Sequence, residues 1–208
     1  MKFVVCAMDN EWQELTKDAA DIQWIRAEVP FSFFEYPDAD AFFILSIPES
    51  IDYKQTSKPV IINSVVATLK ELQVPENVVR INGWNSFLSR DTWEVAGNLT
   101  TDIHTVLQKI NKKAIAVADE PGLIAATVIA MIINEAYFTL QEGTANRNDI
   151  DLGMKLGTAY PHGPFEWCEM IGIKHVYEVL NALYLDTHDD RYKICSLLKT
   201  EYLKSQAI

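Results

Sequence analysis

Glycine is missing from the first 82 residues of this 208-residue chain; all eight glycines fall at position 83 or later. A backbone that wraps a phosphate closely needs glycine in the turn, so no such turn follows the first apolar run. Cysteine is scarce, and Cys6, Cys168 and Cys195 lie too far apart for a disulfide framework or a metal-ligand motif. Basic charge is in deficit. Lys and Arg number 18 against 29 Asp and Glu, and the net charge of −11 divides as −7 before residue 121 and −4 from there on. Neither half offers a basic surface, which argues against nucleic acid as a partner. The most membrane-like apolar stretch, Leu123–Ile133, falls short of the roughly 20 residues that cross a bilayer, so no membrane span is expected. The apolar start Phe3–Met8 is too short for a secretory signal. Cytoplasmic residence is the expectation. Repeats and low-complexity tracts are absent, and 49% hydrophobic with 23% charged residues describes a globular chain.

What is present divides at Asp119-Glu120-Pro121-Gly122. Before it, short apolar runs stand at Phe3–Ala7, Ile22–Ala27, Ala41–Ile47, Val60–Ser64, Val78–Asn82, Thr92–Ala96 and Ala114–Val117. Runs of this length without alternation predict strands buried on both faces of a largely parallel sheet. Helical periods fill gaps between them at Glu11–Ala20, Val65–Leu72 and Thr101–Asn111. Alternating elements of this kind imply an α/β, reduced Rossmann-like domain over residues 1–120. After Gly122 the pattern turns helical, and residues 121–208 predict a second, all-α domain. A helix buried on all sides, in a core or at a subunit interface, is expected over Leu123–Glu142, ending at Gly143. Next comes a short one over Asp149–Leu156, capped by Asn148 and stopped by Gly157. A rigid turn at Tyr160–Pro164 leads to helical segments at Phe165–Ile171, Lys174–Thr187 and Arg191–Ser205.

The turn after the first strand reads Cys6-Ala7-Met8-Asp9-Asn10-Glu11-Trp12-Gln13-Glu14. Side chains hold a diphosphate away from the backbone amides there, and Asp9, Glu11 and Glu14 repel it. The first domain is therefore expected to bind a dinucleotide poorly, and no cofactor is predicted.

The second half carries several linked motifs. They are Asn134-Glu135-Ala136, Glu142-Gly143, Asp149-Ile150-Asp151-Leu152-Gly153-Met154-Lys155-Leu156-Gly157, Pro161-His162-Gly163-Pro164-Phe165-Glu166-Trp167, Ile171-Gly172 and Asp190-Arg191-Tyr192. Together they closely resemble the C-terminal domain of the 3-hydroxyacyl-CoA dehydrogenases, including the 3-hydroxybutyryl-CoA type. The resemblance implies a helical domain that forms homodimers, NAD as the family's cofactor, and a place in fatty-acid and acyl-CoA metabolism. Upstream it is weaker. Asp40–Glu49 resembles the family's strand ending in Val-Pro-Glu, with Leu45 in place of a glutamate. Asn63-Ser64-Val65-Val66 resembles its substrate-contacting Asn-Thr-Ser-Ser, with valines for both serines. Asn82-Gly83-Trp84-Asn85-Ser86 and Trp93-Glu94-Val95 are similar to its His-Phe-Phe-Asn-Pro and Val-Glu-Val segments.

In the family that histidine takes a proton from the 3-hydroxyl as hydride leaves for the nicotinamide, and the glutamate orients its ring. The resemblance places Asn82 on the histidine and Glu94 on the glutamate as the catalytic positions. It also assigns Asn63, Ser64 and Asn85 to substrate binding, while a further family Asn-Arg pair falls on Ala126 and Thr127. A carboxamide holds an oxygen but takes no proton near neutral pH. Three readings stay open: a family relative without NAD binding or a base that still binds an acyl-CoA or acts as a dimeric interaction partner; an active NAD-dependent dehydrogenase with an unusual cofactor site and another base such as His162; and a dimeric structural module without ligand. No metal site is expected.

Overall fold

Seven apolar runs form the strands of one sheet: β1 (Lys2–Cys6), β2 (Gln23–Arg26), β3 (Ala41–Ile44), β4 (Val60–Asn63), β5 (Val78–Ile81), β6 (Thr92–Ala96) and β7 (Lys113–Val117). In this computed structural model residues 1–17, 21–28, 32–46 and 51–207 are described. The strand order is β2-β1-β3-β4-β5-β6-β7, parallel throughout except for the antiparallel pair β5 and β6. In β1, β3, β4 and β5 both faces are buried and largely apolar, whereas the edge strands β2 and β7, expected to be buried as well, contain no buried residue, and Ile115 is 53% exposed. Phe3, Val5, Phe43, Ile61, Val79 and Ile81 pack on one side. Val4, Cys6, Phe42, Ile44, Val60, Ile62 and Val78 pack on the other.

Three helices accompany this sheet: α1 (Asp9–Thr16), α2 (Leu69–Leu72) and α3 (Thr101–Lys109). The α3 stripe Ile103, Val106 and Leu107 is buried, and Thr100 Oγ1 caps its start by accepting from the Ile103 amide at 3.3 Å. The expected helix Val65–Leu72 shrinks to α2. Thr68 takes the N-cap and exchanges bonds with Glu71, which fixes the start one residue before Leu69. The expected ends of the first helix and third strand, residues 18–20 and 47, lie outside the described residues, as do Pro48 and Glu49.

The chain forms two compact units, Met1–Leu123 and Ile124–Ile208. The second contains α4 (Ala125–Gln141), α5 (Arg147–Thr158), α6 (Pro164–Ile171), α7 (Ile173–Thr187) and α8 (Ser196–Ser205). Around α4 pack α6, α7 and α8. Within the single chain α4 leaves one face open: Val128 is 49% exposed and Glu135 stands in solvent. Three corrections concern ends. Asn146, not Asn148, caps α5, its Oδ1 accepting from the Asp149 amide at 3.0 Å. Gly157 lies inside that helix, which stops when Ala159 turns left-handed at φ 57°. The segment expected as one helix over Arg191–Ser205 is a 3-10 turn at Asp190–Tyr192, a break, and then α8. Among the described residues no helix is long and apolar enough to cross a membrane.

Candidate functional site

Strand β1 lies between β2 and β3, its two successors in the chain, so the connections diverge beyond the carboxyl ends of β1 and β3. Open α/β sheets hold ligands at such a switch point. Here a cleft of about 460 Å³ is lined by Cys6, Ala7, Met8, Arg26, Ala27, Glu28 and Ser46. Its cation is engaged: Arg26 pairs with Asp9 at 2.7 Å and donates to the Ala7 carbonyl at 3.0 Å.

Beside this cleft the first turn of α1 carries a carboxylate of its own. Glu11 is buried, and its Oε2 accepts from the Met8 amide at 2.9 Å and from Ser46 Oγ at 2.8 Å. Its Oε1 stands 3.5 Å from Asn63 Nδ2. Asn63 Oδ1 in turn accepts from the Gly83 amide at 2.9 Å. The backbone of Gly83 lies so close to Asn63 that an added Cβ would stand 2.6 Å from Asn63 Cγ. Glutamate three positions into a helix commonly bonds back to the amide that precedes it, so the 8–11 spacing is the signal by which this role was readable. The sequence argument had assigned Glu11 repulsion alone.

The expected site residues divide. Arg80↔Ala96 and Ile81↔Val95 pair across β5 and β6; Asn82 follows the last paired residue of β5, and Glu94 precedes its partner on β6 in the chain. Asn82 is 7% exposed, its Oδ1 accepts from the Trp84 amide at 3.1 Å, and its Nδ2 is buried without an acceptor. Glu94 is half-buried, and its charge acts on Arg90, whose pKa is lowered by burial and partly restored by that carboxylate. Asn63 joins this group through Gly83. Ser64 does not: its hydroxyl donates to the Ala67 carbonyl at 2.7 Å. Asn85 is exposed in the turn after β5.

Two residues hold this corner: Glu14, expected only to repel a diphosphate, and Arg80, to which no role was assigned. Glu14 Oε1 accepts from the Ser86 amide at 2.9 Å, while its Oε2 is buried without a donor. Arg80, fully buried on β5, pairs with Asp119 at 2.5 Å and donates to the carbonyls of Ser64 at 3.0 Å and Glu120 at 2.5 Å. Burial lowers its pKa, and Asp119 opposes that shift. A single arginine inside an otherwise apolar Val-Val-Arg-Ile strand was the available signal.

In the helical unit the conspicuous motifs prove to be structural fastenings. Buried Asp151 accepts from the amides of Phe165 at 2.8 Å and Glu166 at 3.1 Å, capping α6 from α5. Gly163 is required because any Cβ there would collide with Asp151. Asn134, 1% exposed, donates to the Lys193 carbonyl and accepts from the Cys195 amide, both at 2.9 Å. Tyr137 and Arg147 both bond to Glu201. His162 Nδ1 lies 3.9 Å from Glu166, and Ala126 is fully buried. An apolar groove of about 430 Å³ opens along α4 and α5, lined by Val128, Met131, Ile132, Ile150, Met154 and Pro164 among others. Among the described residues no group of three or more His, Cys, Asp or Glu is arranged to hold a metal ion.

Residues 122–206 match the family profile described as 3-hydroxyacyl-CoA dehydrogenase, C-terminal domain. The chain belongs to the 3-hydroxyacyl-CoA dehydrogenase family. A 3-hydroxyadipyl-CoA dehydrogenase of Escherichia coli is 40% identical over 97 residues, 47% of this chain and 20% of that protein. A 3-hydroxybutyryl-CoA dehydrogenase of Bradyrhizobium diazoefficiens is 31% identical over 157 residues, 73% of this chain and 52% of that protein. This member thus spans about half the length, or less, of the curated relatives it matches. Its fold is that of the solved (S)-3-hydroxybutyryl-CoA dehydrogenase of Ralstonia eutropha, with a TM-score of 0.78 at 18% identity, covering 98% of this chain and 93% of that one.

Proposed function

We propose that this family member holds an acyl group, as the coenzyme A thioester or a smaller fragment, without transferring hydride to or from NAD. The observation that carries the reading is the Glu11 carboxylate on the Met8 amide. A diphosphate approaching the start of α1 would have to displace a buried anion that also holds Ser46, and Met8 and Asn10 stand where glycines would admit it. The residues present do not fit a dinucleotide. Asn82 supports the same conclusion for chemistry. In the family's histidine position it offers a buried N–H for an oxygen of the ligand, and no group that takes up a proton. We place this activity in the cytoplasm, consistent with three buried free cysteines. Two copies pair through the helical unit, whose apolar groove along α4 and α5 supplies a face for association.

The retained cleft at the switch point favours one other reading, an active dehydrogenase that binds its cofactor differently. Titration of tryptophan fluorescence separates the two, because Trp84 and Trp93 are buried beside Asn82 and Glu94 in the chain. Acetoacetyl-CoA is expected to give a saturable change, NADH none, and the mixture no NADH oxidation. NADH oxidation by acetoacetyl-CoA would overturn the proposal, and silence from the thioester would remove its acyl-binding part.

A further inference from the structure

Asn82-Gly83 is the one Asn-Gly pair in the chain. A residue without a side chain after asparagine leaves the following backbone nitrogen unshielded, so that nitrogen can reach the carboxamide carbon and close a five-membered ring. The turn after β5 holds the reacting groups in a particular way. Asn82 Oδ1 accepts from the Trp84 amide at 3.1 Å, the Asx-turn bond that lays a carboxamide forward along its own backbone. That bond draws electron density from Cγ, and Nδ2, the amine that would depart, is buried without an acceptor to retain it. The nucleophile is the restrained partner. Gly83 N–H donates to Asn63 Oδ1 at 2.9 Å, a contact across 20 residues of chain. Asn63 is itself steadied by Glu11 Oε1, 3.5 Å from its Nδ2. Susceptibility is thus written locally at 82 and 83, and the restraint on it is supplied by the end of β4.

We propose that Asn82 is a self-modification site kept latent by Asn63. When the Asn63 bond is released, the Gly83 nitrogen bonds to Asn82 Cγ, the Cγ–Nδ2 bond breaks, and the proton of the Gly83 amide leaves with Nδ2 as ammonia. Water then opens the cyclic imide at one carbonyl to aspartate or at the other to isoaspartate. The sum is hydrolysis of one carboxamide, with nothing oxidised or reduced. A hydrogen bond held by the resting amide and lost when its nitrogen attacks slows the first step by about tenfold. In the product an oxygen stands where Nδ2 stood, so an acceptor replaces a donor. On the acyl-binding reading this exchange removes the N–H offered to the ligand; the modification itself does not depend on that reading.

Peptide mass spectrometry of protein aged in warm, mildly alkaline buffer tests the proposal, with conversion read as the amide-to-acid mass gain and fragment ions separating Asn82 from Asn85. The unaltered chain is expected to convert Asn82 slowly when folded and rapidly in urea. Asn63→Ala, shown to be folded by circular dichroism, is expected to convert Asn82 about tenfold faster than the unaltered chain. Asn85 is the internal reference, because the amide that follows it, that of Ser86, is held by Glu14 and not by Asn63. Its rate should stay the same in Asn63→Ala, which distinguishes loss of one bond from loosening of the whole turn. Equal rates at Asn82 in the folded and the urea-unfolded unaltered chain overturn the proposal without recourse to a variant. So does a folded Asn63→Ala that converts Asn82 no faster, or one that speeds Asn82 and Asn85 alike.

Discussion

Arg80 has no solvent exposure, and its guanidinium ties β5 to the carbonyl of Ser64, the carboxylate of Asp119 and the carbonyl of Glu120. Removing it leaves a cavity on β5 and the Ser64 carbonyl without its buried donor, while Asp119 keeps the Leu69 and Lys70 amides. Arg80→Ala is therefore expected to cost about 2–4 kcal/mol in urea unfolding. Arg80→Lys should recover less than half of that loss, because a single ammonium cannot reach partners arranged for a planar fork. Cys168 provides a gentler test. Burial raises its thiol pKa to about 11, so alkylation by iodoacetamide at pH 8 should be negligible in the folded protein and rapid in urea. Chemical type was readable without coordinates, and partnership was not. The resemblance places Asn82 on the family's histidine position, and on that reading the sequence alone puts a non-titrating carboxamide there. The bond from the Met8 amide to Glu11 is local and follows from spacing, whereas the bonds that tie Glu11 to Ser46 and Asn63, 35 and 52 residues away, do not. With Glu11 so held, Asn82→His, which sets an imidazole in the family's histidine position, is expected to leave NADH oxidation at background in a spectrophotometric assay.

The central strands were legible because burial on both faces leaves an uninterrupted apolar run; the edge strands β2 and β7 were found by their apolar runs although they are not buried, and each observed strand falls within or one residue beyond the run expected. Helix ends were harder, since they depend on single side-chain bonds. Asn146 and Asn148 are equally good caps by type, and only the bond from Asp149 to Asn146 selects one. Gly157 looked like a stop, yet nothing stands within 4 Å of where its Cβ would be and the backbone continues as helix. Asp151 was read as an acid near a helix start, whereas it caps the next helix, α6, across the 161–163 turn. Losing a cap costs about 0.5–2 kcal/mol, and leaving two amides unpaired in a buried setting adds to it. Asp151→Ala should lower stability by about 2–3 kcal/mol, with Asp151→Asn intermediate because one of the two acceptors survives. Thermal unfolding of the two variants side by side checks the order.

For the whole molecule, acid and association are the two informative perturbations. Glu71, Glu166 and Asp189 all have lowered pKa values: Glu71 through the Thr68 amide, Glu166 through Lys155 and the Gly163 amide, and Asp189 through the Arg191 amide. Their contribution is present above the unfolded values of about 4.3 for Glu and 3.9 for Asp and is lost as pH falls through the lower folded values. Urea midpoints should thus be level above about pH 5 and decline below about pH 4. Association poses a sharper question, because each chain carries a net charge of −11. The helical half holds the smaller share of that excess, and the α4 and α5 groove is apolar except for Glu135 and Thr139 at its edge. The proposed pairing through this groove would be driven by removing apolar surface from water and opposed by like charge, which salt screens over about 8 Å at physiological ionic strength. The homodimer should accordingly tighten modestly as salt is raised. Val128→Glu together with Met131→Glu places charge on the exposed stripe of α4 without touching Asn134 or Asp151. Sedimentation velocity should then report a folded single chain at concentrations where the unaltered protein sediments as a pair. An unaltered protein that sediments as a single chain at every salt concentration would separate acyl binding from pairing and leave the groove without a second copy to fill it.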